Sequence, residues 1–348
     1  MLWILHSIFV NEGKLAWQRQ GHSWDELTRQ QQWQTAWLHG PRELWHTLTL
    51  IHAGALTLSF ALIGLTIFAG VVRWRLVLQV HGLELSFSRA AEISLVAHFF
   101  NSFLLGSTGG DLLKAYYAAR ETHHKKTEAV VAVFVDRLLG LLAMLLFAVL
   151  MMGPNLPLLL HHRRLAAVAW LIVLMLLGCG LLAGLALWGG LSRPLPRARE
   201  WLRRLPKGEA LERSLDACRE FGRKPGLLVR VMTLSMVLNG VCVLQVLALA
   251  WGLSLTIPPL ALFVIVPIII CISALPITPS GLGVRENLYV LLLSAPEINV
   301  PATQSFSLSL LAYAGSLFWS LIGGVVYASL RQRHHLAEIA NADPAGVG

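Results

Sequence analysis

Two short segments carry the residue types and spacings best suited to holding a charged group. The first reads Phe103-Leu-Leu-Gly-Ser-Thr-Gly-Gly-Asp111-Leu-Leu-Lys114, the second Ala274-Leu-Pro-Ile-Thr-Pro-Ser-Gly-Leu-Gly283-Val-Arg285-Glu286. In each, an apolar stretch breaks at a Ser/Thr/Gly turn, a carboxylate and a cation follow within a few residues, and the hydrophobic pattern resumes. In the first break Ser107, Thr108, Gly109 and Gly110 can present several backbone amides, because glycine permits the positive-φ geometry of an anion-binding nest. Asp111 is placed as an N-cap. On the helix it would open, Lys114, Tyr117 and Glu121 share one face, with Arg120 nearby. Free amides, a helix N-terminus and a lysine together suit a phosphate. The plainer alternative is a helix-loop-helix with a solvated cationic edge.

Asp136 and Arg137 stand inside the apolar run Ala129–Met152. A charge at the centre of a spanning helix costs about 2.5–3.5 kcal/mol on insertion scales, so such residues default to a functional reading. Adjacent helical residues point about 100° apart, so the two are expected to face different partners. Arg137 calls for a carboxylate or a phosphate, Asp136 for a cation such as Lys114 or Arg285. Snorkelling of both to a nearby membrane surface is the alternative. In the second break Pro279, Ser280, Gly281 and Gly283 precede Arg285 and Glu286, and no charged residue lies between Val231 and Val284. That isolation argues against simple surface solvation. Asn239 and Gln245 read as hydrogen-bonding contacts between helices.

The elements that must position these residues are membrane helices. The 348-residue chain is 55% hydrophobic and 14% charged, with a mean hydropathy of +0.62, whereas soluble domains carry about 25% charged residues. A spanning helix needs about 20 apolar residues. Thr47–Val72, ending at the anchor Arg73-Trp-Arg75, qualifies, as do Ala129–Met152, Leu165–Leu191 and Gln304–Leu330. The apolar run from Val231 divides into two more at Gly252–Pro259. The expected fold is therefore all-α and polytopic, with six spans and two loosely repeated halves. Ala90–Gly106, with His98, Asn101 and Ser102 inside it, reads as a re-entrant hairpin, and Pro276–Ala295 as a broken crossing. Irregular backbone at membrane depth is tolerated only where protein buries it or it lines a polar cavity, and paired breaks in two halves point to a substrate site between them.

Three regions follow: 1–46, 47–330 and a tail at 331–348. Met1–Val10 is apolar but too short to span, and it lacks the features of a signal peptide. The expectation is that a first helix has been cut from the start, the other reading being a monotopic anchor. Residues 11–46 would then form amphipathic helices outside the cytoplasm. Between Arg193 and Lys224 stand ten Lys/Arg against five Asp/Glu, whereas 11–46 has four of each. Basic loops stay cytoplasmic, so the 191–230 loop, the Arg73 and Lys125 ends and the C-terminus are placed there. The loop's Arg-Glu spacing suits an anionic lipid surface rather than nucleic acid. Four cysteines form no CxxC pair, and the pairs His123-His124, His161-His162 and His334-His335 read as interfacial anchors, so neither a metal nor another cofactor is expected. Recognisable catalytic motifs are missing: no G-x-S-x-G, P-loop or H-E-x-x-H occurs.

The stretch from Asn101 through Gly110-Asp111, Lys114, Tyr117 and Arg120 to Asp136-Arg137-Leu-Leu-Gly140, with Pro279-Ser-Gly-Leu-Gly-Val-Arg-Glu286, resembles the lysylphosphatidylglycerol synthase transmembrane family, also called flippase-like membrane proteins. The resemblance covers roughly Leu62 to Ser329. It implies an inner-membrane protein, since in aminoacyl-phosphatidylglycerol synthases this region is implicated in moving the modified lipid between leaflets. Lys114 stands where the family commonly has Arg, which exchanges a fork for a point charge. No aminoacyl-transferase domain follows Leu330, so synthesis of lysyl-lipid is not expected. The combined reading is a lipid translocator that takes a phosphate-bearing headgroup in a groove lined by both breaks and Arg137. Its rivals are a membrane-embedded transferase on polyprenyl-phosphate or phospholipid, with Asp25, Glu26 or Glu43 as the acid, and an accessory subunit partnering an envelope-synthesis enzyme.

Overall fold

A computed structural model describes residues 2–19, 23–103, 109–121, 125–156, 163–188, 208–275, 278, 280–296 and 298–342. Among them there is no strand. The helices are α1 (Leu2–Arg19), α2 (Arg29–Thr49), α3 (Ala53–Leu78), α4 (Phe87–Phe103), α5 (Gly109–Glu121) and α6 (Lys126–Met152), followed by α7 (Arg163–Trp188), α8 (Gly208–Gly222), α9 (Pro225–Gly252), α10 (Pro259–Ser273), α11 (Val284–Leu293) and α12 (Ala302–Ala342). Five of these, α3, α6, α7, α9 and α12, are long and apolar enough to cross a membrane. On α7 leucines face outward where lipid would lie: Leu174, Leu177 and Leu181 are each more than 60% exposed.

Two sequence expectations change here. The sixth span is α10, only 15 residues long, or about 22 Å at 1.5 Å per residue, against an apolar layer of about 30 Å. Pro259 sets where it starts, at a position where its missing N–H is harmless, and the helix runs through Pro267 to end at Ser273. The first span does not run from Thr47 to Val72 either. Thr47 lies in the last turn of α2, the chain turns through residues 50–52, and α3 continues past Arg73 and Arg75 to Leu78. Its stop is Gly82, at φ 64°, with the Leu83 N–H donating to Leu78 O at 3.2 Å, a glycine-dependent helix end.

The chain divides into two compact units, each drawn from three stretches and so running along different lines from the two halves of the sequence. The first comprises Met1–Ile63, Met144–Leu177 and Met236–Ser316. Its core includes Phe9, Ala36 and Phe306, with Val290 and Leu310 packed against them, and α10 packs on α11. The second comprises Gly64–Ala143, Gly178–Ser235 and Leu317–Gly348. Its core gathers Trp74, Leu78, Ile93, Ala118, Leu139 and Phe221.

In the second unit α4 is one continuous helix through His98, Asn101 and Ser102, and α5 packs against it. Glycines set the closeness of that packing. A Cβ on Gly110 would lie 1.9 Å from Ala97 O, and one on Gly323 would lie 2.1 Å from Leu95 O. Backbone of α4 is thus met directly by α5 and by α12. At the far end of α3 two lysines cap its last carbonyls: Lys125 Nζ donates to His81 O at 2.7 Å and Lys224 Nζ to Val80 O at 2.8 Å. Cations are favoured at that end of a helix. His81 also meets Glu220 of α8 at 2.8 Å and the Phe221 ring. The Lys125 and Lys224 ends therefore meet the end of α3 at one place.

Candidate functional site

The second unit holds a cluster of charges built from three helices, α3, α5 and α6. Asn101 on α4 fixes the start of α5, because the Gly110 N–H donates to Asn101 Oδ1 at 2.8 Å. Asp111 then falls in the first turn of α5 rather than at its N-cap, and Lys114 follows one turn on. Lys114 Nζ stands 3.6 Å from Asp136 Oδ2 and 4.2 Å from the centre of the Trp74 ring. From α3, Arg73 grips the same carboxylate with both prongs, Nε to Oδ1 at 2.9 Å and Nη2 to Oδ2 at 3.2 Å. Its remaining prong, Nη1, donates to Ser235 Oγ at 3.2 Å. A Cβ on Gly140 would sit 2.9 Å from that Nη1, so glycine keeps the guanidinium's place open.

Arg137, one residue along, turns to the other carboxylate: its Nε lies 3.6 Å from Asp111 Oδ2. Asp136 is 8% exposed at the side chain and Lys114 12%, while Arg137 is 36% exposed. The inner pair is thus sealed and the outer pair open, each at 3.6 Å. Arg73, Lys114 and Arg137 set three positive charges against the two carboxylates. The Trp74 indole N–H adds a buried donor with no acceptor among the described residues. Buried polar groups are ordinarily satisfied, so the cluster holds more donors and more positive charge than its own acceptors balance.

Tyr117 packs on the core beside this cluster, while Arg120 is exposed. Glu121 is taken by Arg89 at 2.6 Å, which also holds Glu92. Lys114, Tyr117 and Glu121 therefore share a face but not a partner. Ser107, Thr108 and Pro279 lie outside the described residues, as do His123, His124, His161 and His162 and residues 189–207 of the basic loop.

The first unit holds a second, smaller centre at the break before α11. Ser280, Gly281 and Gly283 have φ of 53°, 70° and 85°, and a Cβ on Gly281 would come 2.9 Å from Ser273 Cβ. Glycine serves both needs there. Glu286, fully buried, reaches back to accept from the Gly283 N–H at 2.6 Å and also pairs with Arg285. Arg285 lies 4.2 Å from the Tyr313 ring centre and donates to Ser309 Oγ at 3.4 Å. Arg285 thus has its neighbour Glu286 as its carboxylate, whereas the sequence offered it as a partner for Asp136.

Sequence reasoning missed Arg73, Trp74 and Ser235. Arg73 and Trp74 passed for an interfacial anchor, yet Trp74 is completely buried. The signal that locates them is Gly82: a helix that stops there carries Arg73 more than two turns inside its end.

Long apolar helices, continuous helical backbone and buried ion pairs define a multi-pass α-helical membrane protein. The chain belongs to the family described as the lysylphosphatidylglycerol synthase TM region, whose model matches residues 33–324. Among curated proteins none matches it.

Proposed function

We propose that the protein moves a lipid between leaflets of a bacterial-type inner membrane, and that the Arg73/Lys114/Arg137 cluster receives the phosphate of its headgroup. The observation that carries this reading is the charge imbalance: three cations and an unaccepted indole N–H against two carboxylates, with the outermost cation held loosely. A phosphate displacing Asp111 from Arg137 would balance the cluster, while the sealed Arg73–Asp136–Lys114 core keeps its shape. The α4–α5 pair is read as the re-entrant element that brings Lys114 to membrane depth, and the α10–α11 pair as the broken crossing. The Arg285–Glu286 centre is assigned to the passage of the same lipid. Family membership supports a lipid context.

The test is reconstitution into liposomes with a fluorescent phospholipid. Arg137→Ala is expected to abolish lipid movement at normal expression, and Arg137→Lys to retain a fraction, since charge survives without the two-pronged fork. Full movement by Arg137→Ala would leave Arg137 a snorkelling surface charge. Product formation from an added donor, without lipid movement, would favour a transferase instead.

Orientation is a separate expectation. The 193–224 stretch, rich in Lys and Arg, is assigned to the cytoplasm, with the C-terminus on the same side and the turn near Ser23 outside. A reporter fused at each position in intact cells checks this. Protease access to 193–224 from the outer face would reverse the assignment.

A further inference from the structure

Helix α2 has three distinct sectors. At about 100° per residue, Ala36, Gly40 and Thr47 fall together and are buried, and α2 packs against α1. The packing is close: a Cβ on Gly13 would sit 2.8 Å from Ala36 Cα. A second, broader sector of about 140° carries Trp33, Trp37, Leu38 and Trp45, which are 54%, 39%, 71% and 70% exposed, with exposed Gln34 and Pro41 between them. The third holds Thr35, His39, Arg42 and His46 and is half-buried or exposed. One flank is thus covered by protein, one is polar, and one presents three indoles and a leucine to the surroundings.

The surroundings of that flank follow from where α2 ends. Residues 50–52 link it directly to α3, one of the five helices able to cross a membrane, so its last turn lies where α3 enters the bilayer. Leu50, in that link, is itself 58% exposed. Arg29, Arg42, Glu43 and its glutamines make α2 too polar to cross, and it is not among the membrane-length apolar helices. Its Trp sector is too apolar for water. An amphipathic helix with tryptophan on one side and cationic residues on the other rests in the interfacial layer, where indoles are favoured.

We propose that α2 lies in the plane of the membrane interface, with its Trp33–Trp45 sector seated among lipid headgroups at the level where α3 enters. The occupant of the exposed face is the bilayer itself, the headgroup phosphates lying within reach of Arg42. This holds whether or not the protein moves lipid.

The test uses the full chain with Cys179, Cys218, Cys242 and Cys271 replaced by Ala, in vesicles of phosphatidylcholine and phosphatidylglycerol. Single nitroxides go at Leu38, Trp45, Arg42 and His46. Leu38 and Trp45 labels are expected at one shared depth, about 5–10 Å below the phosphates, collecting oxygen and excluding a nickel chelate, with Arg42 and His46 labels open to the chelate. Equal chelate access at all four sites would overturn the proposal, as would a steady change of depth along the helix. Immobile labels shielded from both reagents would mean a protein partner and would overturn it too. A second measurement keeps the native cysteines: the fluorescence lost in Trp45→Phe should be emission strongly quenched by lipids brominated near the headgroup. Lost emission insensitive to brominated lipid would count against the proposal.

Discussion

Asp136→Ala is expected to destabilise the protein by about 3–5 kcal/mol, the range for removing one partner of a buried ion pair. The magnitude follows from what is left behind. Asp136 is the shared counter-charge of Arg73 and Lys114, so its loss strands two cations that are 17% and 12% exposed at the side chain. Neither has an easy substitute: Arg73 keeps Ser235 and Lys114 keeps the Trp74 ring, both neutral. Asp136→Asn should fall between wild type and Ala, because it preserves volume and one acceptor oxygen, but it loses the charge and turns the other oxygen into an N–H donor facing Arg73. The informative variant removes all three charges as Arg73→Met, Lys114→Met and Asp136→Leu. Apolar replacement of a whole buried ionic group is often neutral or stabilising, so this triple variant should recover folding. Thermal unfolding in detergent reads the stability, and the liposome assay reads lipid movement. Recovered stability with lipid movement lost would assign the cluster to function; recovery of both would make it scaffolding.

The same cluster shows what was readable beforehand. Asp136 and Arg137 stood out because charges are rare in an apolar run, and their separation around the helix anticipated that they would look different ways. The identity of Arg73 was hidden by a local habit of reading: a basic residue beside tryptophan after an apolar run usually marks a membrane boundary. Here the helix ends further on, at Gly82, and the apolar residues after Arg75 are core rather than surface. The sequence offered Arg285 as a partner for Asp136, whereas the structure pairs it with Glu286. Adjacent residues point apart along a regular helix, but Glu286 sits in the first turn of α11 and folds back to cap Gly283. That reversal carries its other oxygen to Arg285. Long apolar helices were legible because membrane length is a property of composition; the shortness of α10 depended on where between Pro259 and Ala274 the helix starts and stops.

Gly110→Ala is the other substitution with a large expected effect. Inside a helix the exchange would ordinarily stabilise by about 1 kcal/mol, through the poorer helix propensity of glycine. At Gly110 the added methyl would lie 1.9 Å from Ala97 O and 2.7 Å from Asn101 Cγ, and the first of these is backbone that no rotamer change can clear. Relief requires α5 to move away from α4. Forced repacking of this kind costs about 1–3 kcal/mol and sometimes more, which exceeds the propensity gain. Movement at the start of α5 also breaks the Gly110–Asn101 hydrogen bond and displaces Lys114, whose contact with Asp136 is already long at 3.6 Å. Loss of lipid movement should therefore exceed what the stability loss alone explains. Gly70→Ala is the matched control, since a Cβ on Gly70 of α3 meets nothing within 4 Å; it should be neutral or slightly stabilising and leave lipid movement intact. Equal behaviour of the two variants in both assays would mean that α5 need not touch α4 for the protein to work, and the placement of Lys114 would lose its functional meaning.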